Sequence, residues 1–134
     1  MALAIEAART AVEFCGAAGF HVGATVIDSA GEARAMLTAD GSDGSHVFVA
    51  MRKALTALAF EMPSAKASEL LPADKQMLAR VKPNMFIMAG ALPIIVNHTT
   101  IGAIGVSSAA GTPFGHADEV CAAAGLDKVK DRLT

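Results

Sequence analysis

The sequence contains no tryptophan and no tyrosine, and its only aromatic residues are six phenylalanines. Lysine and arginine number 11 against 13 acidic residues, which gives a formal net charge of −2. A nucleic-acid-binding protein needs a basic surface to neutralise phosphates and aromatic side chains on which bases can stack. Because both are scarce here, we expect no nucleic-acid partner.

Long apolar runs are also missing. A transmembrane helix needs roughly 18 consecutive apolar residues, and charged residues such as Glu6, Arg9 and Arg52 interrupt the apolar segments before they reach that length. We therefore expect no membrane partner. The N-terminal segment lacks a basic start followed by a continuous apolar run, so we predict no secretory signal and a cytoplasmic location, with a processed precursor as an open alternative.

Cysteine occurs only at positions 15 and 121. Both residues lie among alanines in segments with a helical pattern, and neither shares a zinc-type spacing with a histidine. We expect two buried thiols in a reducing compartment, and we keep a disulfide between Cys15 and Cys121 as the alternative.

The apolar content is high for a chain of this size. At 134 residues the chain fits a single domain, residues 1–134, yet 53% of its residues are hydrophobic and only 18% are charged. Its mean hydropathy of +0.45 indicates more apolar surface than one small domain buries. We therefore expect a homo-oligomer in which subunit contacts cover this excess.

Hydrophobic periodicity predicts helices and strands in an order that identifies the fold class. The helical segments are residues 3–15, a long helix from Val47 that Pro63 ends, a less regular stretch at 65–81, and 115–124, closed by Gly125 as a C-cap. The strands are residues 21–27, 33–38, 85–88, 92–97 and 100–107. Two hairpins separated by a helix do not form a doubly wound sheet, so we predict an α+β fold with a five-stranded antiparallel sheet covered by helices.

Ionisable groups concentrate at the start of the last helix, where His116, Asp118 and Glu119 lie within four residues. Backbone N–H groups at a helix start favour anions. The two carboxylates are therefore either simple first-turn residues or part of a site. In the second interpretation the helix start holds a ligand's carboxylate, while His116 transfers a proton or coordinates iron.

Lys53 is the second candidate, with Thr56 close by on the same helix. It lies near the apolar face of the helix, which predicts either a buried ammonium fixed against a carboxylate or a lysine whose stem covers apolar surface while its head reaches water. Gly90 and Gly105, beside Ser107, permit close backbone approach and are candidates for one wall of a pocket. Methionines around this region are either pocket lining or core filler.

No metal site is predicted from spacing. His21, His46 and His98 are scattered and form no zinc motif, although a single imidazole suffices as an axial ligand of heme. The acidic loop at residues 40–45 lacks the bidentate glutamate of a calcium loop. No Ser-His-Asp or Cys-His arrangement indicates a covalent nucleophile.

The chain resembles the GlcG/HbpS family, which includes the C-terminal domain of PduO-type proteins. The resemblance covers residues 20–126 and is carried by Val26-Ile27-Asp28, Gly31, Asp40-Gly41, Lys53-Ala54, Thr56-Ala57, Phe60, Pro63-Ser64, Pro93, the run Gly102 to Ser107, Asp118-Glu119, Ala122 and Gly125-Leu126. It implies a profilin-like version of the fold and heme or a related tetrapyrrole as the ligand class. The chain departs from the family's usual Glu-Gln-Asp-like pattern between Gly111 and Asp118.

Three functions remain open. The first is an oligomeric small-ligand-binding protein with heme as the implied cofactor. The second is a small cofactor-independent isomerase, hydratase or lyase that acts on an organic acid or carbonyl compound in a pathway encoded by a catabolic operon. In that enzyme His116 moves the proton, Asp118 or Glu119 orients it, and Lys53 holds the substrate's anionic group. The third is a structural subunit that docks onto an enzyme.

Overall fold

The computed structural model describes residues 2–109 and 116–133. Its elements are α1 (Ala2–Ala17), β1 (Gly23–Asp28), β2 (Ala33–Thr38), α2 (His46–Phe60), α3 (Ser64–Leu70), α4 (Lys75–Leu78), β3 (Ala91–Val96), β4 (Thr99–Ser107) and α5 (His116–Val129), with short 3₁₀ turns at Leu71–Ala73 and Lys130–Arg132. The stretch from 110 to 115, which carries most of the departure from the family pattern, lies outside the described residues. No helix among those described has the length and apolar character to cross a bilayer.

The sheet has four antiparallel strands in the order β2-β1-β4-β3. Each hairpin pairs its own strands, and β1 pairs with β4 across the middle, with Ala24 opposite Val106. The predicted α+β class with an antiparallel sheet is confirmed, but the prediction of five strands is wrong. The profilin-like version of this architecture stays a prediction.

The missing strand is the predicted one at residues 85–88, which is irregular. The backbone groups of Phe86 bond to α2, and the Met85 and Met88 amides bond to nearby carbonyls of Lys82 and Phe86, instead of to a neighbouring strand. The Phe86 amide donates to the Arg52 carbonyl at 3.2 Å, and the Thr56 hydroxyl lies 3.1 Å from the Phe86 carbonyl. The Arg52 guanidinium also donates to the Pro83 carbonyl at 2.9 Å. These bonds satisfy the segment without a sheet ladder and hold it against α2.

Helices cover both faces of the sheet. Side chains alternate between the faces of a strand, so Ile104 and Val106 of β4 pack in one cluster with α1 and α5, while Ala103 packs with Ala54 and Ala57 of α2. Gly105 brings α2 unusually close to β4, because a Cβ at this position would lie 2.1 Å from the Ala50 carbonyl oxygen. The first half of α2 therefore lies against the last residues of β4.

Helices α1 and α5 pack through small residues. The sequence predicts that Gly125 ends the last helix, but α5 continues to Val129, and that prediction is wrong. A Cβ on Gly125 would lie 2.4 Å from the Ala7 carbonyl oxygen, so the glycine permits the close contact of the two helices.

That close contact brings the two cysteines together. Cys15 of α1 and Cys121 of α5 form a disulfide with their Cα atoms 5.6 Å apart, inside the usual range for such bonds. The expectation of two free thiols is therefore wrong, and the alternative is confirmed. Both residues are buried, so the disulfide joins α1 and α5 inside the larger core cluster.

Candidate functional site

A buried ion pair links α2 to α5 beside the end of β4. Lys53 is only 2% exposed, and its ammonium donates to Asp118 Oδ2 at 3.0 Å and to the Val106 carbonyl at 3.2 Å. Of the two sequence interpretations of Lys53, the buried ammonium fixed against a carboxylate is therefore the one that the structure shows. Burying both charges costs several kcal/mol per ion in desolvation, so such a pair persists only where good geometry compensates.

Asp118 also holds the chain that leaves β4. Its Oδ1 accepts the Ala109 amide at 2.7 Å, so the carboxylate uses both oxygens. Burial raises the pKa of the Asp118 carboxyl above its usual range. The Lys53 ammonium, the Ala109 amide and the nearby His46 oppose that rise without cancelling it. Buried carboxyls of raised pKa beside a specific charged partner cluster at functional sites, which makes Asp118 a candidate site residue.

Gly90 makes room for the ion pair. Its φ of +138° is a conformation that side chains rarely adopt, and a Cβ there would lie 2.9 Å from Lys53 Nζ and 2.7 Å from the Val106 carbonyl oxygen. The Gly90 carbonyl accepts the Val106 amide at 2.9 Å. The glycine thus lets the backbone before β3 pass directly against the lysine head.

A cavity of about 400 Å³ opens above this pair, and we call it the apolar recess. Lys53 and Asp118 are its buried charged members, and its apolar members come from α2 and the irregular segment before β3. Its lining consists of His46, Val49, Lys53, Phe86, Met88, Ser107, Ser108, Ala109 and Asp118. Its volume and mixed lining are typical of a small-ligand site, which combines apolar walls with few polar groups.

A second cavity of about 320 Å³ adjoins the first, and we call it the polar recess. It is lined by Gly19, Phe20, His21, Gly41, Ser42, Asp43, His46 and Ser108. His46 and Ser108 line both cavities. Ser108 has a φ of +91°, which costs energy for a residue with a side chain and is a feature that clusters at functional sites.

The residues predicted from the sequence fall into three groups. Lys53, Asp118 and Ser107 line the apolar recess, and Gly90 contacts Lys53. Thr56 and Gly105 lie behind the recess: the Thr56 hydroxyl is 3.0 Å from the Arg52 carbonyl, and Gly105 packs under Ala50.

The other two predicted residues are on α5. His116 is the first residue of this helix, is exposed and is not part of the apolar recess lining. Glu119 is half-buried, and its Oε1 has no hydrogen-bond partner among the residues that the structure describes.

His46 enters the sequence interpretation only as one of several scattered histidines. The signal that singles it out is its spacing: His46, Val49 and Lys53 follow at i, i+3 and i+7, which places them along one side of a helix. Phe86 is missed as a lining residue because the sequence pattern predicts a strand for its segment, whereas Met88 is one of the methionines for which pocket lining is one of the two interpretations.

Other cavities and side-chain clusters of the described chain have fewer groups available for ligand binding or catalysis. A cavity of about 480 Å³ lies between the start of α1 and the sheet, and the charged groups in its lining, Asp28 and Arg34, bond to each other at 2.7 Å. Within residues 2–109 and 116–133, no group of three or more histidine, cysteine, aspartate or glutamate side chains is arranged to hold a metal ion.

A sequence model described as "Haem degrading protein HbpS-like" matches residues 1–127. The chain belongs to the HbpS-like family. The resemblance drawn from the sequence is thereby confirmed. The match covers the recess residues described above, both cysteines and all four strands of the described chain. No curated protein matches this HbpS-like chain.

Solved structures agree with the assignment. A double mutant of HbpS from Streptomyces reticuli is 32% identical, with 95% of this chain and 84% of that chain covered and a TM-score of 0.83. The Klebsiella pneumoniae protein ORFY is 24% identical over 99% of this chain and 90% of that chain, with a TM-score of 0.82. A PduOC:heme complex is 18% identical over 91% and 88%, with a TM-score of 0.77. The last two likenesses show the fold alone.

Proposed function

We propose that this HbpS-like protein binds heme or a related tetrapyrrole in the apolar recess. The observation that carries the proposal is a recess with apolar walls, an imidazole at its edge and a buried ion pair beneath it. The description of the family model, and the heme complex of the PduOC neighbour, support the same ligand class.

The residues present fit such a ligand. A tetrapyrrole needs apolar contacts for its ring, which Val49, Phe86 and Met88 offer, and heme iron is commonly held by one histidine. His46 is the histidine that lines the recess, so it is the residue that would hold the iron, with His116 at the start of α5 as the alternative. Heme, when bound, supplies an iron centre for electron transfer and oxygen chemistry. Lys53 and Ser107 would contact the ligand, while Thr56, Gly90 and Gly105 keep the walls in position.

Titration with hemin tests this proposal. The wild-type chain is expected to give a saturable Soret shift, and His46→Ala to weaken binding at least tenfold or to change the Soret position. His98→Gly is the matched control, because His98 lies at the turn between β3 and β4 with a φ of +66°, which glycine adopts freely. His116→Ala separates the two candidate ligands. An absent Soret shift in the wild type, or an identical shift in every variant, refutes the proposal.

We also propose that the protein is a homo-oligomer. Several large apolar side chains are exposed in the single chain, among them Phe48 at 61%, Ile95 at 51% and Phe14 at 49%. Contact between copies would remove these groups from water. Light-scattering mass measurement checks this proposal, and a monomer of 13.6 kDa at micromolar concentration would contradict it.

One observation favours the enzymatic alternative, an isomerase, hydratase or lyase. The Asp118 carboxyl lines the recess, has a raised pKa and lies next to the Lys53 ammonium, as an acid/base group beside a fixed cation does. In a screen of small carbonyl acids, Asp118→Asn should abolish turnover under conditions in which circular dichroism shows that the variant is still folded. The control Asp127→Asn changes an exposed aspartate of the same helix and should leave turnover unchanged. Turnover that survives Asp118→Asn removes this role.

The cytoplasmic location predicted from the sequence stays a prediction. The disulfide between Cys15 and Cys121 weighs against it, because structural disulfides persist mainly in oxidising compartments.

A further inference from the structure

The two recesses meet at a shared boundary. His46 and Ser108 belong to the lining of both, one from the start of α2 and one from the residue after β4. The two recesses are therefore neighbours that share one boundary of two residues. The two cavities differ in chemistry. The apolar recess offers phenylalanine, methionine and valine side chains. The polar recess offers serine hydroxyls, a second imidazole and the exposed backbone of two glycines.

The polar recess is built by two loops and the end of β4. Gly19, Gly41 and Ser108 have φ values of +90°, +84° and +91°, so each of the three segments turns through left-handed backbone where it lines the recess. Gly41 lies against the imidazole of His21, since a Cβ there would be 3.8 Å from His21 Nδ1. The loop after β2 and the residues before β1 thus meet at the His21 ring.

The charge of the polar recess determines which ligand group fits. Asp43 is its acidic member: its Oδ1 accepts the Ser45 amide at 2.8 Å, and hydrogen bonds from Ser45 hold the pKa of this carboxyl below its usual range, so it is an exposed anion at the rim of the recess that is bonded within its own loop. The His21 imidazole and the Ser108 hydroxyl line the recess and can donate hydrogen bonds, while the Ser42 hydroxyl lies 3.4 Å from the Asp43 carbonyl. Donors that line one small space suit an acceptor such as a carboxylate.

We propose that the polar recess binds a carboxylate of the ligand whose apolar ring occupies the apolar recess, with His21 as the principal donor. This inference rests on the proposed function and extends it: the ligand class is a tetrapyrrole that carries free carboxylate side chains. The two recesses then form one site, in which Ser108 contacts the ligand where its ring joins the carboxylate arm.

Affinity for hemin and for hemin dimethyl ester, measured in the same detergent buffer, tests the inference. The ester has the same ring and iron but no free carboxylate. We expect the wild type to bind hemin at least tenfold more tightly than the ester, because hydrogen bonds to a charged carboxylate are stronger than those to a neutral ester. His21→Ala should remove most of this difference by weakening hemin binding while leaving ester binding within twofold. Ser42→Ala should reduce the difference by less.

The controls separate failure of this inference from failure of the proposed function. Phe86→Ala should weaken both ligands equally, because it changes only the apolar recess. His98→Gly should change neither affinity. Equal affinity of the wild type for hemin and its ester, or an equal loss of both in His21→Ala, overturns the carboxylate site while the heme proposal stands. Failure of the wild type to bind either ligand overturns both.

Discussion

Removing either member of the Lys53–Asp118 pair should destabilise the protein far more than removing both. The two side chains are 2% and 4% exposed, so each charge is largely removed from water and depends on its partner. Breaking a buried pair on one side costs about 3–5 kcal/mol because it leaves an uncompensated buried charge, whereas replacing both charges leaves none and is often nearly neutral when the new side chains are hydrophobic and well packed. We expect Lys53→Met and Asp118→Asn each to lose about 3 kcal/mol or more of unfolding free energy.

The choice of variants keeps other contacts in place. The Asp118→Asn side chain retains an oxygen that can accept the Ala109 amide, so this substitution removes the charge and not that bond. Methionine approximates the lysine stem in volume. The double variant should therefore be at least about 2 kcal/mol more stable than the sum of the two single losses predicts.

Acid pH should reduce the cost of Lys53→Met. A carboxyl whose pKa is higher in the folded state than in the unfolded state is preferentially protonated when folded. Its contribution to stability is therefore present at acid pH and is lost as the pH rises through the folded-state pKa. Burial already raises the pKa of Asp118, and loss of the Lys53 ammonium removes an opposing influence. The destabilisation by Lys53→Met should therefore be smaller at mildly acid pH than at mildly alkaline pH.

Urea unfolding of the four proteins at both pH values measures these free energies. The exposed pair Lys66–Glu69, at 4.0 Å with side chains 57% and 71% exposed, is the matched control, and Lys66→Met should change stability by less than about 0.5 kcal/mol. Additive losses in the Lys53 and Asp118 single and double variants, within about 0.5 kcal/mol, would refute the coupling. A single variant that fails to fold agrees with the prediction, provided that the double variant folds.

Two further predictions concern the disulfide and Gly90. Reducing the disulfide, or replacing Cys15 and Cys121 with alanine, should lower the unfolding free energy by about 3–5 kcal/mol because the bond closes a loop of more than a hundred residues. Equal urea midpoints with and without a reductant would contradict this. Gly90→Ala should cost about 2 kcal/mol or more, because of its φ of +138° and the nearby Val106 carbonyl. Gly16→Ala is the control, because this residue lies in α1 and nothing lies within 4 Å of the new Cβ. It should be neutral or stabilising in the same assay. A similar effect of both substitutions would show that position 90 does not require glycine.

Local pattern is sufficient for most of the fold. The helix that begins near Val47, the strand at residues 33–38 and the last hairpin follow from periodicity and turn residues, and the structure has them within one or two positions. The segment 85–88 is assigned wrongly because a short apolar run looks the same whether it pairs in a sheet or packs against a helix. The partner of the Phe86 amide is the Arg52 carbonyl, more than thirty residues away, so the contact cannot be recognised from the local sequence.

The site is less accessible to sequence reasoning. The sequence singles out Lys53 from its place near an apolar helix face and Asp118 from its place at a helix start. It does not predict their pairing, because that depends on α5 packing beside β4, 65 residues from Lys53. The disulfide depends in the same way on the contact of α1 with α5. Tertiary packing, which no local pattern encodes, determines both.

The bond between Cys15 and Cys121 turns most of the chain into a covalent ring. All four strands lie within it, since β1 begins at Gly23 and β4 ends at Ser107. A protease that cuts the backbone once between these two cysteines would leave a single molecule of unchanged mass, apart from one added water. The nick would become visible on a denaturing gel only after thiol treatment, when the two fragments part.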